Sequence, residues 1–143
     1  ITETTDEEWD RLQAVNARAA FILCRELIPV LKESPAATIL NIGSVVGIKG
    51  YVNQGAYGAS KHALLGFTKV LAQEVQPLAI RVHAINPGAV NTEMVRSMRP
   101  DLDPAGLIQP EAIADLVVYL LTHRNSAVID DVHLRRATGD PWY

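Results

Sequence analysis

Helical and extended hydrophobic patterns alternate along this chain, and that alternation leaves few architectures open to it. Apolar side chains recur at Trp9, Leu12, Val15, Ala19, Ile22, Leu23, Leu27, Val30 and Leu31, a helical stripe. Thr5 and Glu8 have capping-box spacing ahead of it, and Asp6 and Glu7 suit the positive end of a helix. Pro29 is expected to bend or interrupt the last part of this helix. After a break at Ser34-Pro35, the run Thr38–Ile42 is short, apolar and mostly β-branched, and reads as a buried strand. A glycine-bearing connection over 43–55 leads into a second helical pattern from Ala56 to about Val75, which Pro77 ends. Ile80–Ile85 reads as a second strand, and Asn86-Pro87-Gly88 as a turn. Residues 93–109 show weak periodicity and read as a mobile or short-helical loop. Pro110 then stands at the first position of a third main helix carrying Ile113, Leu116, Val117, Leu120 and Leu121. Val128–Leu134 is the third strand, and a polar tail follows, ending in Trp142 and Tyr143, which read as docking on a neighbouring surface.

Helices alternating with strands define an α/β chain with a parallel sheet and helices on its faces. The strand runs are continuous rather than alternating, as expected where both faces are covered. Composition excludes other classes. With 48% hydrophobic and 20% charged residues, the chain can fill a core and is not disordered. A net charge of −3 argues against a nucleic-acid partner. Cys24 is the sole cysteine, so no disulfide framework or cysteine metal site is expected, and a reducing, cytoplasmic compartment follows. Cys24 itself reads as an inert buried thiol on an apolar helix face. No apolar run approaches the roughly 18 residues of a membrane span, and no basic-then-apolar leader opens the chain. His62, His83, His123 and His133 lack metal-ligand spacing and read as structural and mostly exposed. No metal site is expected.

In open parallel sheets, ligands bind beyond the carboxyl ends of the strands. Three segments should converge on that rim: Gly43–Gly47 after the first strand, Asn86–Thr92 after the second, and Tyr57–Lys61 opening the middle helix. Tyr57 and Lys61 are four apart on a helix and so share a face. An ammonium beside a phenol favours the phenolate. A tyrosine tuned this way gives a proton to a carbonyl oxygen or takes one from an alcohol. Ser44 is placed to hydrogen-bond the same oxygen. Carbonyl reduction or alcohol oxidation needs a hydride that no side chain supplies, so a cofactor is implied. Each residue alone also has a plainer reading. Tyr57 and Lys61 would suit a surface contact, Asn16 a buried amide bonded to backbone, Ser44 a turn and Thr92 a helix cap.

Taken in order, Asn16, Asn41-Ile42-Gly43-Ser44, Tyr57-Gly58-Ala59-Ser60-Lys61, Asn86-Pro87-Gly88 with Thr92, and Gln109–Ala114 resemble the short-chain dehydrogenase/reductase family, from about residue 5 to about 134. The resemblance implies a partial doubly wound, Rossmann-like parallel sheet of three strands with flanking helices, and one partial domain over 1–143. It implies that Tyr57 is the catalytic acid/base, and that Lys61 lowers its pKa and holds the nicotinamide ribose. Ser44 would orient and polarise the substrate carbonyl. Asn16 would hold a water linking Lys61 to solvent. Pro87, Gly88, Val90 and Thr92 would line the nicotinamide of NAD or NADP, and 93–109 would cover a small-molecule carbonyl or alcohol substrate.

The family's opening strand, glycine-rich turn and helix are missing from these residues: no G-x-G-x-x-G occurs, nor an Asn-Asn-Ala-Gly segment. Val132–Arg136 stands where a closing Asp-Gly-Gly is common. With Ile1 just ahead of a helix, the chain reads as the carboxyl-terminal catalytic half of such an enzyme, inactive by itself. The strand Thr38–Ile42 would then lose its inner neighbour and present an apolar edge. The first and middle helices resemble the family's subunit-interface helices, which implies a homo-oligomer. The alternative is a non-catalytic α/β fragment serving as an assembly or interaction module. A sugar epimerase or dehydratase would need a longer carboxyl-terminal substrate domain.

Overall fold

A computed structural model describes residues 1–141; the docking role read for Trp142 and Tyr143 lies outside them. The first helical pattern is three consecutive pieces: α1 (Asp6–Gln13), a π-helical segment Ala14–Arg18, and α2 (Ala19–Leu31). Thr5 and Glu8 form the expected capping box, each side chain bonded to the other's backbone N–H at 3.2 Å. Pro29 does not interrupt the helix, which runs on to Leu31. A proline lacks only the bond to the carbonyl four residues back; Pro29 is exposed, so water can serve that carbonyl.

Strand β1 (Thr38–Ile42) leads through a 3-10 turn, Val45–Gly47, into α3 (Gly55–Val75). Strand β2 (Arg81–Pro87), the short helix α4 (Glu93–Met98), α5 (Pro110–Thr122) and β3 (Asp131–Leu134) follow. The sheet has the order β1-β2-β3 and is parallel throughout, with Ile39 opposite Val82 and Ile85 opposite Val132. It is the three-stranded α/β arrangement expected. Two strands differ in extent, the second spanning Arg81–Pro87 and the third Asp131–Leu134. β2 runs on to Pro87 because Pro87 still pairs with Leu134. β3 starts at Asp131 rather than Val128. Ahead of it, the carbonyl of Ile129 takes the ring nitrogen of His83 at 2.6 Å. His83 is therefore buried, unlike the mostly exposed histidines expected, while His62, His123 and His133 are exposed.

Alternate residues of a strand point to opposite faces. On one face Val82, Leu71, Val75, Ile80, Ala37 and Cys24 form a buried cluster under α2 and α3. Cys24 is buried as expected, and that burial pushes its thiol pKa up. On the other face Arg81 donates to the carbonyls of His123 and Asn125, just past α5.

The first helical stripe turns only partly inward. Val15, Leu23 and Val30 remain 66%, 59% and 68% exposed; among the described residues the sheet ends at β1, with no further strand on that side to cover them. For the same reason β1 is half-buried rather than buried. Between α2 and β1 runs a cleft of about 460 Å³, bordered by Leu23, Leu27, Leu40 and, at one end, Asn16 and Lys61.

Candidate active site

The carboxyl ends of the strands carry the polar residues singled out above, and local structure explains their placement. Tyr57 and Lys61 sit in the first two turns of α3. The Lys61 Nζ lies 5.8 Å from the centre of the Tyr57 ring, within cation–π range. It donates to the carbonyl of Ile42, the last residue of β1, at 3.1 Å. Burial lowers the Lys61 pKa, because a charged amine is disfavoured out of water.

Ser44 follows β1 and is buried. Its Oγ accepts the backbone N–H of Val46 at 3.2 Å and so caps the 3-10 turn. That leaves the hydroxyl proton to be donated elsewhere. Gly47 lets this turn press on α3: a Cβ there would stand 2.8 Å from the backbone carbonyl oxygen of Lys61. The turn that carries Ser44 is thus seated directly on the helix that carries Lys61.

Asn16 lies at the middle of the π-helical segment, a distortion frequent at functional sites. Its Nδ2 donates to Ser60 Oγ at 3.0 Å, and Ser60 Oγ donates to the Tyr57 carbonyl at 2.7 Å. Asn16 therefore fastens the first helix to the turn of α3 that bears Tyr57. It is a bonded amide, as its plainer reading had it, but its partner is a side chain rather than backbone.

Pro87 ends β2 and is buried; Gly88 N–H donates to the Leu134 carbonyl at 2.8 Å. Val90 forms a parallel bridge with Ile108. Thr92 caps α4, its Oγ1 accepting the N–H of Val95 at 3.3 Å, so its hydroxyl proton is likewise left to donate. The segment 93–109 is the short helix α4 and a 3-10 turn Pro104–Gly106, with Leu107 and Ile108 buried behind them.

Three contributors escaped sequence reasoning. Ser60 links Asn16 to Tyr57. Asn86, fully buried, bonds Ser44, and Asp131 bonds Asn86. The signal for Asn86 was a polar residue directly after the apolar Ala84-Ile85, masked by the turn reading of Asn-Pro-Gly.

The three-stranded parallel sheet, with Ser44, Tyr57 and Lys61 on the segments at its carboxyl rim, is a Rossmann-like α/β arrangement. A family model described as short chain dehydrogenase matches residues 1–103. The chain belongs to that family. It is similar to the uncharacterized oxidoreductase YciK of Escherichia coli K12, at 39% identity over 142 residues, covering 97% of this chain and 56% of that protein. Among solved structures, it is similar to a short chain dehydrogenase of Escherichia coli CFT073 complexed with NADPH, with TM-score 0.84 and 35% identity over 94% of this chain and 55% of that one. It is also similar to a 4-hydroxyisoleucine dehydrogenase complexed with NADH, with TM-score 0.81 and 31% identity over 98% of this chain and 64% of that one. The chain spans about half the length of the curated relatives it matches.

Proposed function

We propose that this chain is the catalytic half of an NAD- or NADP-dependent oxidoreductase acting on a small-molecule carbonyl or alcohol. The observation that carries this reading is the pair of donors at the rim. Lys61 is a desolvated ammonium held against the Tyr57 ring, and Ser44 is a hydroxyl whose oxygen is already engaged by its own turn. In this reading Tyr57 exchanges a proton with the reacting oxygen, Lys61 sets a positive charge beside the Tyr57 ring, and Ser44 donates to the same oxygen. Asn16, fastened to the Tyr57 turn, keeps that turn in place beside the cleft, where it would hold a water serving Lys61.

The donor set fits the nicotinamide and ribose end of such a cofactor. Lys61 spends one of its three N–H donors on Ile42, and the Thr92 hydroxyl proton is left over. Lys61 and Tyr57 would hold the ribose, and Pro87, Gly88, Val90 and Thr92 the nicotinamide. When bound, the cofactor supplies or accepts the hydride. Relatives support the reading: two neighbouring structures are described as complexed with NADPH and NADH, and a relative at 33% identity is a cyclopentanol dehydrogenase of Comamonas. The pyrophosphate end has no glycine-rich turn within these residues, so turnover needs a further cofactor-binding part beside β1. The completed protein would be a cytoplasmic homo-oligomer, with exposed Trp9, Val15 and Phe21 available to a second copy. Among the described residues, no helix is long and apolar enough to cross a membrane.

The test is to join the chain to the amino-terminal half of a family member and assay NAD(P)H-dependent carbonyl reduction. The joined protein is expected to bind cofactor and turn over, and the 143-residue chain alone to do neither. Cofactor binding by the chain alone would contradict the division of labour. A joined protein that binds cofactor yet transfers no hydride would overturn the function.

A further inference from the structure

We propose that Asn86 is a positioning residue for Ser44, the centre of a polar clamp that ties the carboxyl ends of β1 and β2 to the first residue of β3. Asn86 is completely buried at the end of β2. Its Oδ1 accepts the backbone N–H of Ser44 at 3.2 Å, and its Nδ2 donates to Asp131 Oδ1 of β3 at 2.5 Å. The other carboxylate oxygen of Asp131 lies 2.9 Å from His133 Nε2 at the surface. The residue before Ser44 is shaped to the clamp: a Cβ on Gly43 would collide with Asn86 Oδ1. The amide stands between a group that can only donate and a carboxylate that accepts, so its orientation is fixed without ambiguity.

The consequence for chemistry rests on the reading of Ser44 as the hydroxyl that donates to the reacting oxygen. A donor contributes to a reaction in proportion to how well it is aimed before charge develops. Ser44 is aimed by two bonds: its N–H is held by Asn86, and its Oγ by Val46. Only the first reaches outside the turn. Asn86 therefore registers the Ser44 turn against the end of β2, and Asp131 stops the amide from rotating away. A buried donor such as the Ser44 N–H, left without its acceptor, would force the turn to shift. Asn86 touches neither Tyr57 nor Lys61 through any bond of the clamp. Its loss should then affect the chemical step rather than cofactor capture.

The test combines an exchange measurement with a partner swap. In the 143-residue chain, Asn86→Ala should speed hydrogen exchange of the Ser44 amide about tenfold, the effect of losing roughly one hydrogen bond. In the joined, cofactor-binding enzyme, Asn86→Ala should lower kcat about tenfold with the cofactor KM unchanged. Asn86→Asp alone sets two carboxylates face to face and should lose at least as much. The double variant Asn86→Asp with Asp131→Asn re-creates the same acceptor and donor with their order exchanged, and should recover kcat to within about threefold of the parent. Because the swap keeps every position polar and filled, it remains informative if Asn86→Ala fails to fold. An unchanged Ser44 exchange rate, or a double variant no better than Asn86→Asp, would overturn the clamp. A joined enzyme without turnover, but with Ser44 exchange responding as stated, would overturn the function and leave the clamp standing.

Discussion

The two ends of this sheet solve the same problem in opposite ways. Where the strands begin, loop carbonyls are tied down by arginine. Arg124 donates to the carbonyls of Ala36 and Ala37 at 3.2 Å and to Thr38 Oγ1 at 2.6 Å, and Arg81 reaches the carbonyls of His123 and Asn125. Where the strands finish, the side chains of Lys61, Ser44 and Thr92 make one hydrogen bond each and keep a donor in hand. The first end is held together by cations bonded to backbone. The second is held mainly through side-chain amides, Asn16 on Ser60 and Asn86 on the Ser44 N–H and Asp131, with one cation, Lys61, bonded to the Ile42 carbonyl. In the proposed function, those amides do the holding that leaves the Ser44 and Thr92 hydroxyl protons to donate.

Substitutions at the two ends should therefore separate rate from stability. Lys61→Met in the joined enzyme is expected to lower kcat by about 10³, the scale of losing a group that assists proton transfer, without lowering stability near neutral pH, since the buried ammonium it removes is itself disfavoured. A matching loss from Arg124→Ala would erase the distinction between the ends. That variant is instead expected to cost about 2 kcal/mol in denaturant unfolding and leave kcat alone, since it removes three charge-assisted hydrogen bonds to the start of β1, two of them part-buried. Gly47→Ala drives a Cβ toward the backbone of Lys61 and should cost about 1–3 kcal/mol, with kcat falling too because the Ser44 turn moves. Thr5→Ala, remote from both ends, should cost about 1 kcal/mol through the lost capping box and nothing in rate.

Lys61 also gives the finishing end a pH signature. Its folded-state pKa is lowered by burial, so between that value and the ordinary lysine value the unfolded chain binds the extra proton. Stability should then rise with pH across that alkaline window, and the rise should be smaller in Lys61→Met. A slope of the opposite sign would mean that the amine is stabilised rather than stressed by its surroundings.

Much of this layout was legible from periodicity. The stripes and the continuous apolar runs located every main helix and strand, and the Tyr57 and Lys61 spacing put both on one face of α3. What escaped depends on register between segments distant in sequence. Asn86 bonds Ser44 only because β1 and β2 align Ile42 with Ile85, and Asp131 joins them only because β3 aligns with Ala84. β3 began late because His83 takes the Ile129 carbonyl, a side-chain event that no strand pattern encodes. The π-helical turn at Asn16 escaped because one residue of extra winding hardly disturbs an apolar stripe. The half-exposed β1 follows from its place at the edge of the sheet among the described residues rather than from its own residues, which read as core.

In the proposed function this rim moves a proton at Tyr57, while Lys61, Pro87, Gly88, Val90 and Thr92 do most of the holding of the cofactor's reactive end. Tyr57→Phe in the joined enzyme tests it most directly, with hydride transfer followed by NAD(P)H absorbance and cofactor affinity by titration. The account predicts that turnover is lost by about 10³ or more while the cofactor dissociation constant stays within about threefold. Full turnover in the phenylalanine variant would contradict it.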